Sequence, residues 1–197
     1  MKIKIVDGFE IRNTLDPNFC AIEDSQSQTY VPKGELWLEK SYLAEKDRIV
    51  QSFLADRKLK TELGAEKYGA FVRRRITDAA KKTAGIKTEP FKIKPLGKSS
   101  GFKIFLVSGR EVRAKLDPDF FLGGHNLIYD YVPKNEIWID DAQDGREIKY
   151  TLLHELHEAK LMEKGTSYDN AHDFSLATEK AARRNDGFGH YPKDSGF

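Results

Sequence analysis

Apolar residues between Ile148 and Met162 recur at helical spacing. Ile148, Leu152, Leu156 and Ala159 form one stripe, and Leu153, Leu161 and Met162 carry apolar surface round most of the remaining circumference. That pattern belongs to a helix covered on several sides. Residues 150–164 contain no Gly or Pro, so the spacing predicts one helix there. Gly165 is a suitable stop, and Thr166 or Ser167 can cap a second helix over about 168–184.

Upstream the pattern changes to period two. Residues 103–107 read as an apolar strand, Ser108 and Gly109 as a turn, and 111–116 as an alternating strand, which together predict a hairpin. Asp117 and Pro118 break it. A connection through Gly123, Gly124 and His125 leads to a strand over 127–132 that Pro133 ends. Asn135 turns the chain into a further strand over 136–139, and the first helix is entered near Asp144. The order β-β-β-β-α-α predicts an α+β fold with an antiparallel sheet of about four strands followed by two helices.

This unit is written twice. Val6-Asp-Gly-Phe-Glu-Ile-Arg12 and Leu15-Asp-Pro-Asn-Phe19 recur as Val107-Ser-Gly-Arg-Glu-Val-Arg113 and Leu116-Asp-Pro-Asp-Phe120. Tyr30-Val-Pro-Lys-Gly-Glu-Leu-Trp37 recurs as Tyr131-Val-Pro-Lys-Asn-Glu-Ile-Trp138, at a constant offset of 101 residues. A long ungapped register that matches rare residues predicts tandem duplication: a first unit over 1–82, a linker over 83–101, a second unit over 102–184 and a tail over 185–197. Pro90, Pro95, Gly97 and several lysines give residues 83–101 a linker composition, with a short extended piece at 91–93. The tail has no periodicity and reads as mobile or loosely docked.

Composition narrows the class. The chain has 197 residues, 39% hydrophobic and 32% charged, which suits a polar soluble protein with enough apolar residues for a core. Cys20 is the only cysteine, which excludes an intramolecular disulfide and a cysteine-based zinc site. The first residues have no apolar signal segment and no run reaches membrane-spanning length, so a cytoplasmic protein is expected.

The candidate chemistry lies on the two C-terminal helices, which hold three of the five histidines. His154 and Glu158, at i and i+4, project from one helix face. His172 follows just after the turn that folds the second helix back. Two nitrogens and a carboxylate oxygen, with Glu155 beside the first of them, form a plausible catalytic metal shell. His157 competes as a ligand, because i, i+3 also shares a face. The alternative is a solvated face in which His154, His157 and Glu158 pair with Lys160 or Lys164.

The duplication supplies a comparison inside the chain. The register sets His154 against Phe53, Glu158 against Arg57, His172 against Phe71, Glu155 against Leu54 and His157 against Asp56. Scaffold positions match while each candidate ligand is replaced. The expectation is a metal site in the second unit only, with the two phenylalanines filling apolar core in the first. Glu179, on the His172 face, is set against Asp78, which favours a structural role such as pairing with Arg183.

Glu136-Ile-Trp-Ile-Asp140 followed by Thr151-Leu-Leu-His-Glu-Leu-His-Glu158 resembles a minimal zincin metallopeptidase, in which a strand precedes a helix carrying His-Glu-x-x-His and a later helix supplies a third ligand. The likeness covers residues 136–183, and it extends more weakly to small zincin-like domains of phages and mobile elements. The fifth motif position here is Glu158 instead of His. The resemblance implies a zinc-dependent peptidase with His154, Glu158 and His172 as ligands and Glu155 as general base toward an attacking water. It further implies that His125 or Tyr168 stabilises the oxyanion. Two His and one Glu also suit Fe(II) or Mn(II). The implied partner is a peptide or protein substrate.

A reading of a different class is a non-catalytic binding module. The first hundred residues carry 20 Lys and Arg against 14 Asp and Glu. Arg73 to Arg75, Lys81, Lys82 and the linker lysines Lys87, Lys92, Lys94 and Lys98 form a basic stretch that would neutralise the phosphates of a nucleic acid. The metal in that case is structural or vestigial.

Overall fold

The computed structural model describes residues 1–84 and 88–191. The fold is mixed α+β, with six helices and two sheets of three and four strands among the described residues. The first half contains strand β1 (Lys2–Val6), helix α1 (Gly8–Thr14), strands β2 (Ile22–Asp24) and β3 (Glu35–Glu39), and helices α2 (Lys46–Leu63) and α3 (Ala65–Thr83). The second half contains β4 (Lys92–Ser99), β5 (Phe102–Val107), α4 (Gly109–Lys115), β6 (Gly123–His125), β7 (Glu136–Asp140), α5 (Ile148–Glu163) and α6 (Tyr168–Asn185). None of the described helices is long and apolar enough to cross a membrane.

The hairpin expected over 103–116 does not form. Its second arm is helix α4, and the matching segment is helix α1. The apolar positions Val112 and Leu116 that read as alternation are also i and i+4, so both sit on one helical face. Ser108 and Asp7 stand at the N-cap positions, and Asp7 Oδ1 accepts from Glu10 N at 3.2 Å. A helix between two strands lets them run the same way. Accordingly β1 pairs parallel with β3, and β5 pairs parallel with β7, where an antiparallel sheet was expected. The sheet orders are β1-β3-β2 and β4-β5-β7-β6, with β2 and β6 antiparallel to their neighbours.

Two further expectations are corrected. Residues 123–125 form strand β6, whereas 127–132, read as a strand, lie in the turns that follow it. Residues 92–99, read as linker, form strand β4 and pair antiparallel with β5 through two register shifts, one between Lys92 and Lys94 and one between Pro95 and Gly97. Proline and glycine are tolerated there because β4 is an edge strand and the shifts absorb them. Lys87 lies outside the described residues. The first C-terminal helix starts at Ile148, later than Asp144, and its end at Glu163 and the start of α6 at Tyr168 follow the sequence expectation.

The chain divides into two compact units. One is continuous, Glu45–Ala142; the other is discontinuous, Met1–Ala44 together with Gln143 onward. The sequence repeat divides the chain at 82 and 102, so the two divisions differ. Each helical pair groups with the strands from the other half: α5 and α6 with β1–β3 and α1, and α2 and α3 with β4–β7 and α4. In the continuous unit Ile76 and Ala79 of α3 join Val107, Val112, Phe120, Tyr131 and Trp138 in one core. In the discontinuous unit Ile11, Phe19, Val31 and Trp37 form the corresponding apolar cluster.

The recurring motifs have structural explanations. Arg12 is buried on α1, where Nη1 donates to Glu39 Oε2 at 2.9 Å and to the Phe19 carbonyl at 3.0 Å. Arg113 is buried on α4, donates to Phe120 O at 2.9 Å and pairs with Asp140. A Cβ on Gly8 or Gly109 would overlap the Glu39 or Asp140 carboxylate, so the glycine of each motif admits the acid that the arginine needs. Trp37 and Trp138 donate to Glu35 and Glu136 two residues earlier, at 2.8 and 2.9 Å. Burial of such arginines is costly unless every donor is met. Gly109→Ala is therefore expected to destabilise the fold by about 3 kcal/mol through overpacking beside a buried ion pair. An unchanged urea midpoint would contradict that account.

Beyond α6, where a mobile or loosely docked tail was expected, the described residues make contacts with α1. Phe188 meets the Phe9 ring edge-on with centroids 5.1 Å apart, and Tyr191 donates its hydroxyl to Arg12 O at 2.7 Å. Residues 192–197 lie outside the described part.

Candidate metal centre

Helix α5 carries His154 and Glu158 on the face turned toward α6, and Gly165, with φ 91°, makes the tight reversal that only a residue without Cβ adopts readily. The reversal brings His172, in the second turn of α6, against both. His154 Nε2 lies 3.3 Å from Glu158 Oε2 and 3.1 Å from His172 Nδ1, and His172 Nδ1 lies 2.9 Å from the same Glu158 oxygen. The three residues expected as ligands thus converge on one point, with His154 and Glu158 buried and His172 partly so.

The outer nitrogens fix the tautomers. His154 Nδ1 is 3.1 Å from Glu179 Oε2, and a carboxylate only accepts, so Nδ1 donates outward and Nε2 is turned into the triangle. His172 Nε2 donates to Asn18 Oδ1 at 3.3 Å, which turns Nδ1 inward. Two ring nitrogens and a carboxylate oxygen therefore face one another inside a mostly buried cluster. Such an arrangement is stable only with a cation among them, either a proton or a metal ion. For nitrogen and oxygen donors at zinc distances, tetrahedral geometry sets neighbouring donors about 3.3–3.6 Å apart; one edge of the triangle reaches that range and the other two are a few tenths of an ångström shorter. Both histidines also have the outer partner that metal-bound imidazoles ordinarily keep. The residues fit a metal ion.

The support behind His154 is a buried chain of charge pairs that the sequence only partly disclosed. Glu179 Oε1 accepts from Arg183 Nε at 2.9 Å and Nη2 at 2.6 Å, and the same Nη2 donates to Glu147 Oε2 at 2.6 Å. Glu147 Oε1 in turn lies 3.0 Å from Arg12 Nε, and Arg183 Nη1 donates to Asn13 Oδ1 at 3.3 Å. The Glu179–Arg183 pair was readable as an i, i+4 spacing. Arg12, Asn13 and Asn18 were not, since they come from a segment far away in sequence, and Glu147, just ahead of α5, carries no motif for a metal. Burial works against ionising Glu179, but the His154 and Arg183 hydrogen bonds prevail and hold its carboxyl below the usual range.

The other candidates are placed differently. His157 points its Nδ1 at Ser175 Oγ and Thr178 Oγ1, each at 3.3 Å, and is not grouped with the three ligands. Burial, then the nearby His154, Lys160 and Lys164 charges, lower its pKa. Glu155 is half-buried on α5 outside the triangle, and its charge acts on both His154 and Tyr168. Tyr168, 44% exposed, lies against His172 with ring centroids 5.5 Å apart. Burial and the Glu158 and Glu155 charges raise its pKa, which keeps the phenol protonated. His125 belongs to the continuous unit, fully buried on β6, where its Nδ1 accepts from Leu127 N at 3.3 Å.

The replaced positions of the continuous unit depart from the expected apolar filling. Phe71 is 39% exposed and Phe53 only half-buried. Across α2 and α3 the polar centre is instead met by Arg75, which pairs with Asp56 at 3.1 Å, Asp117 at 3.3 Å and Asp119 at 2.5 Å. Asp119 stands 101 residues after Asn18. Here a guanidinium on the protein itself supplies the cation. In the same unit Arg73 pairs with Asp130 at 2.5 Å and Lys92 with Glu136 at 2.8 Å, so part of the basic stretch is already neutralised.

The proton and the metal compete for the triangle. Burial lowers the His154 pKa, but the hydrogen bonds to Glu158 and Glu179 outweigh it and push the value up to about 10 in the metal-free protein. A raised folded-state pKa contributes stability that is complete below the unfolded value of about 6.5 and is lost as pH rises toward about 10. Metal binding must displace that proton, so zinc affinity is expected to rise by about tenfold per pH unit across this window. The gain in Tm on adding zinc should therefore grow from pH 6.5 to pH 9. A gain that shrinks with pH would mean that His154 is not a ligand.

Comparison with protein-family models, curated proteins and solved structures found no match for the chain.

Proposed function

We propose that the discontinuous unit is a metal-dependent hydrolase, with zinc held by His154, Glu158 and His172 and a peptide as the substrate. The carrying observation is the triangle of three facing donor atoms, 2.9–3.3 Å apart, with each histidine anchored through its other nitrogen. Bound there, the cation would supply Lewis acidity at a carbonyl oxygen and acidify a water. Glu155, beside His154, accepts the proton of the attacking water. Tyr168, protonated and tilted against the His172 ring, donates toward the oxygen on which charge develops. Glu179 holds His154 in the tautomer that turns Nε2 inward, and Arg183 and Glu147 hold Glu179.

The 101-residue register is best explained by tandem duplication of a unit of strands followed by two helices, over 1–82 and 102–184. The helical pairs have then been exchanged between the strand layers of the two copies. Asn18 and Arg12 belong to the first copy and support a site whose ligands all come from the second. In the first copy Arg57 stands at the Glu158 position, and no metal is expected there. The test is elemental analysis and zinc titration of the purified protein, with a peptide-hydrolysis assay on the loaded form. One zinc per chain and metal-dependent cleavage are expected. No zinc uptake at neutral pH would remove the proposal.

A further inference from the structure

The two sheets differ at one edge. Strand β5 is covered on its outer side by β4, which pairs with it antiparallel, whereas its counterpart β1, 101 residues earlier, ends its sheet among the described residues. Lys2 N donates to Gly34 O at 2.8 Å on the β3 side, and backbone groups alternate along a strand, so Ile3 and Ile5 turn their N–H and C=O outward. In the other sheet Lys103 N donates to Asn135 O at 2.8 Å, and the outward residues Ile104 and Leu106 meet Gly97 and Lys94 of β4. The side chains follow the same difference. Ile104 is 3% exposed and Val107 fully buried, but Ile3 and Val6 are only half-buried and Ile5 is 41% exposed.

The covered edge of β5 shows what form of chain fits the open edge of β1: an extended segment running antiparallel to it. Charge narrows its composition. Lys2 and Lys4 are exposed, and neither pairs with a carboxylate among the described residues; Lys4 Nζ lies over the Trp37 ring, 4.7 Å from its centroid. Glu35, beside Lys2 on β3, accepts from the Trp37 indole at 2.8 Å. The position of Lys4 is taken in β5 by Phe105, and there the covering strand brings the cation, with Lys92 Nζ 4.3 Å from the ring centroid. On β1 the cation belongs to the edge strand itself. A second β1 laid antiparallel and centred on the first would set Lys4 opposite Lys4, a like-charge pair that disfavours self-association. Acidic residues opposite Lys2 and Lys4, with apolar ones opposite Ile3 and Ile5, are favoured instead.

We propose that the outer edge of β1 binds an extended segment of a partner protein, added antiparallel as a further strand, in which acidic residues opposite Lys2 and Lys4 alternate with apolar residues opposite Ile3 and Ile5. Main-chain hydrogen bonds to Ile3 and Ile5 supply the attraction, and the lysines select the sequence. This surface is independent of the hydrolase reading and of a metal at His154, Glu158 and His172.

The test is calorimetric titration of the full chain with the acetylated, amidated pentapeptide Thr-Val-Glu-Val-Glu and with its counterpart Thr-Val-Lys-Val-Lys. The acidic peptide should bind about tenfold more tightly than the basic one, since two opposite-charge pairs replace two like-charge pairs. Methylating the two valine amide nitrogens, which face β1 in this pairing, should weaken binding by more than about tenfold, whereas methylating the glutamate nitrogens should be tolerated. Ile5→Pro removes an outward N–H and leaves the β3 ladder intact, so it should weaken the acidic peptide by about tenfold with the urea midpoint near the wild-type value. Lys4→Glu should turn the preference toward the basic peptide. Absence of binding by the acidic peptide, equal binding of both peptides, or binding indifferent to valine methylation would each overturn the proposal. A wild-type dimer in sedimentation that Ile5→Pro disperses would assign the edge to a second copy of the chain and overturn the partner assignment.

Discussion

His154→Ala should abolish stoichiometric zinc binding, weakening it by more than about a hundredfold, while His157→Ala leaves it intact. Changes to groups that merely orient a ligand already cost about 10–100-fold in affinity, and loss of a ligand costs more. His154 gives Nε2 to the triangle and ties the helix pair to the buried chain through Glu179, Arg183 and Glu147. His157 faces two hydroxyls of α6 and contributes no atom to the triangle. Glu158→Gln retains the shape and removes the charge, so zinc should bind much more weakly but the fold should persist. Glu179→Gln should fall between these variants, at about 10–100-fold, because the amide can still meet His154 but no longer carries the charge that favours a bound cation. Calorimetric titration with Zn(II) and elemental analysis after desalting separate the cases. Full occupancy in His154→Ala would show that the metal, if any, sits elsewhere.

Glu155→Gln should keep the metal and lose hydrolysis by about 10²–10⁴-fold, the usual cost of removing a general base. The position is informative because Glu155 lies outside the donor triangle, although its charge reaches His154 and Tyr168. A group that takes a proton from water needs that placement, near the cation but not bound to it. Tyr168→Phe should also lower kcat while leaving zinc affinity near the wild-type value, since the ring that packs against His172 is preserved. The readout is the cleavage rate of a peptide library by zinc-loaded protein, with zinc content measured on the same samples. If Glu155→Gln loses its zinc, the carboxylate is a ligand. If zinc-loaded wild type cleaves no peptide, the centre is structural and the chain is a binding module.

The helices α5 and α6, their reversal at Gly165 and the convergence of His154, Glu158 and His172 were set by the sequence alone. Each depends on spacings of three, four or a few more residues, where helix geometry leaves little choice. The 101-residue register was likewise plain, because its matches are rare residues in one ungapped frame. The sequence was misleading where one local pattern fits two structures. Val112, Ala114 and Leu116 alternate as a strand would, yet Val112 and Leu116 are also i and i+4 on a helix. Burial of Arg113 against Asp140, with Gly109 giving the acid room, accompanies the helix. That helix made β5 and β7 parallel, and by the same route β1 and β3. Strand β4 was read as linker because its proline and glycine are tolerable only at a sheet edge, and edges are set by pairing between distant segments.

Only the tertiary structure decided which helices accompany which strands. Local signals define the helical pair and the strand layer separately, but nothing in either names its partner, since such contacts span from some forty residues, as in Arg75 to Asp119, to well over a hundred, as in Asn13 to Arg183. That grouping is what brought Asn18 to His172 and Arg12 to Glu147, and so gave the candidate ligands part of their outer support. The candidate ligands, and Glu179 with Arg183 behind them, could be read from short spacings within one hairpin of helices. Asn18, Arg12 and Asn13 could not, because they come from the opposite end of the chain.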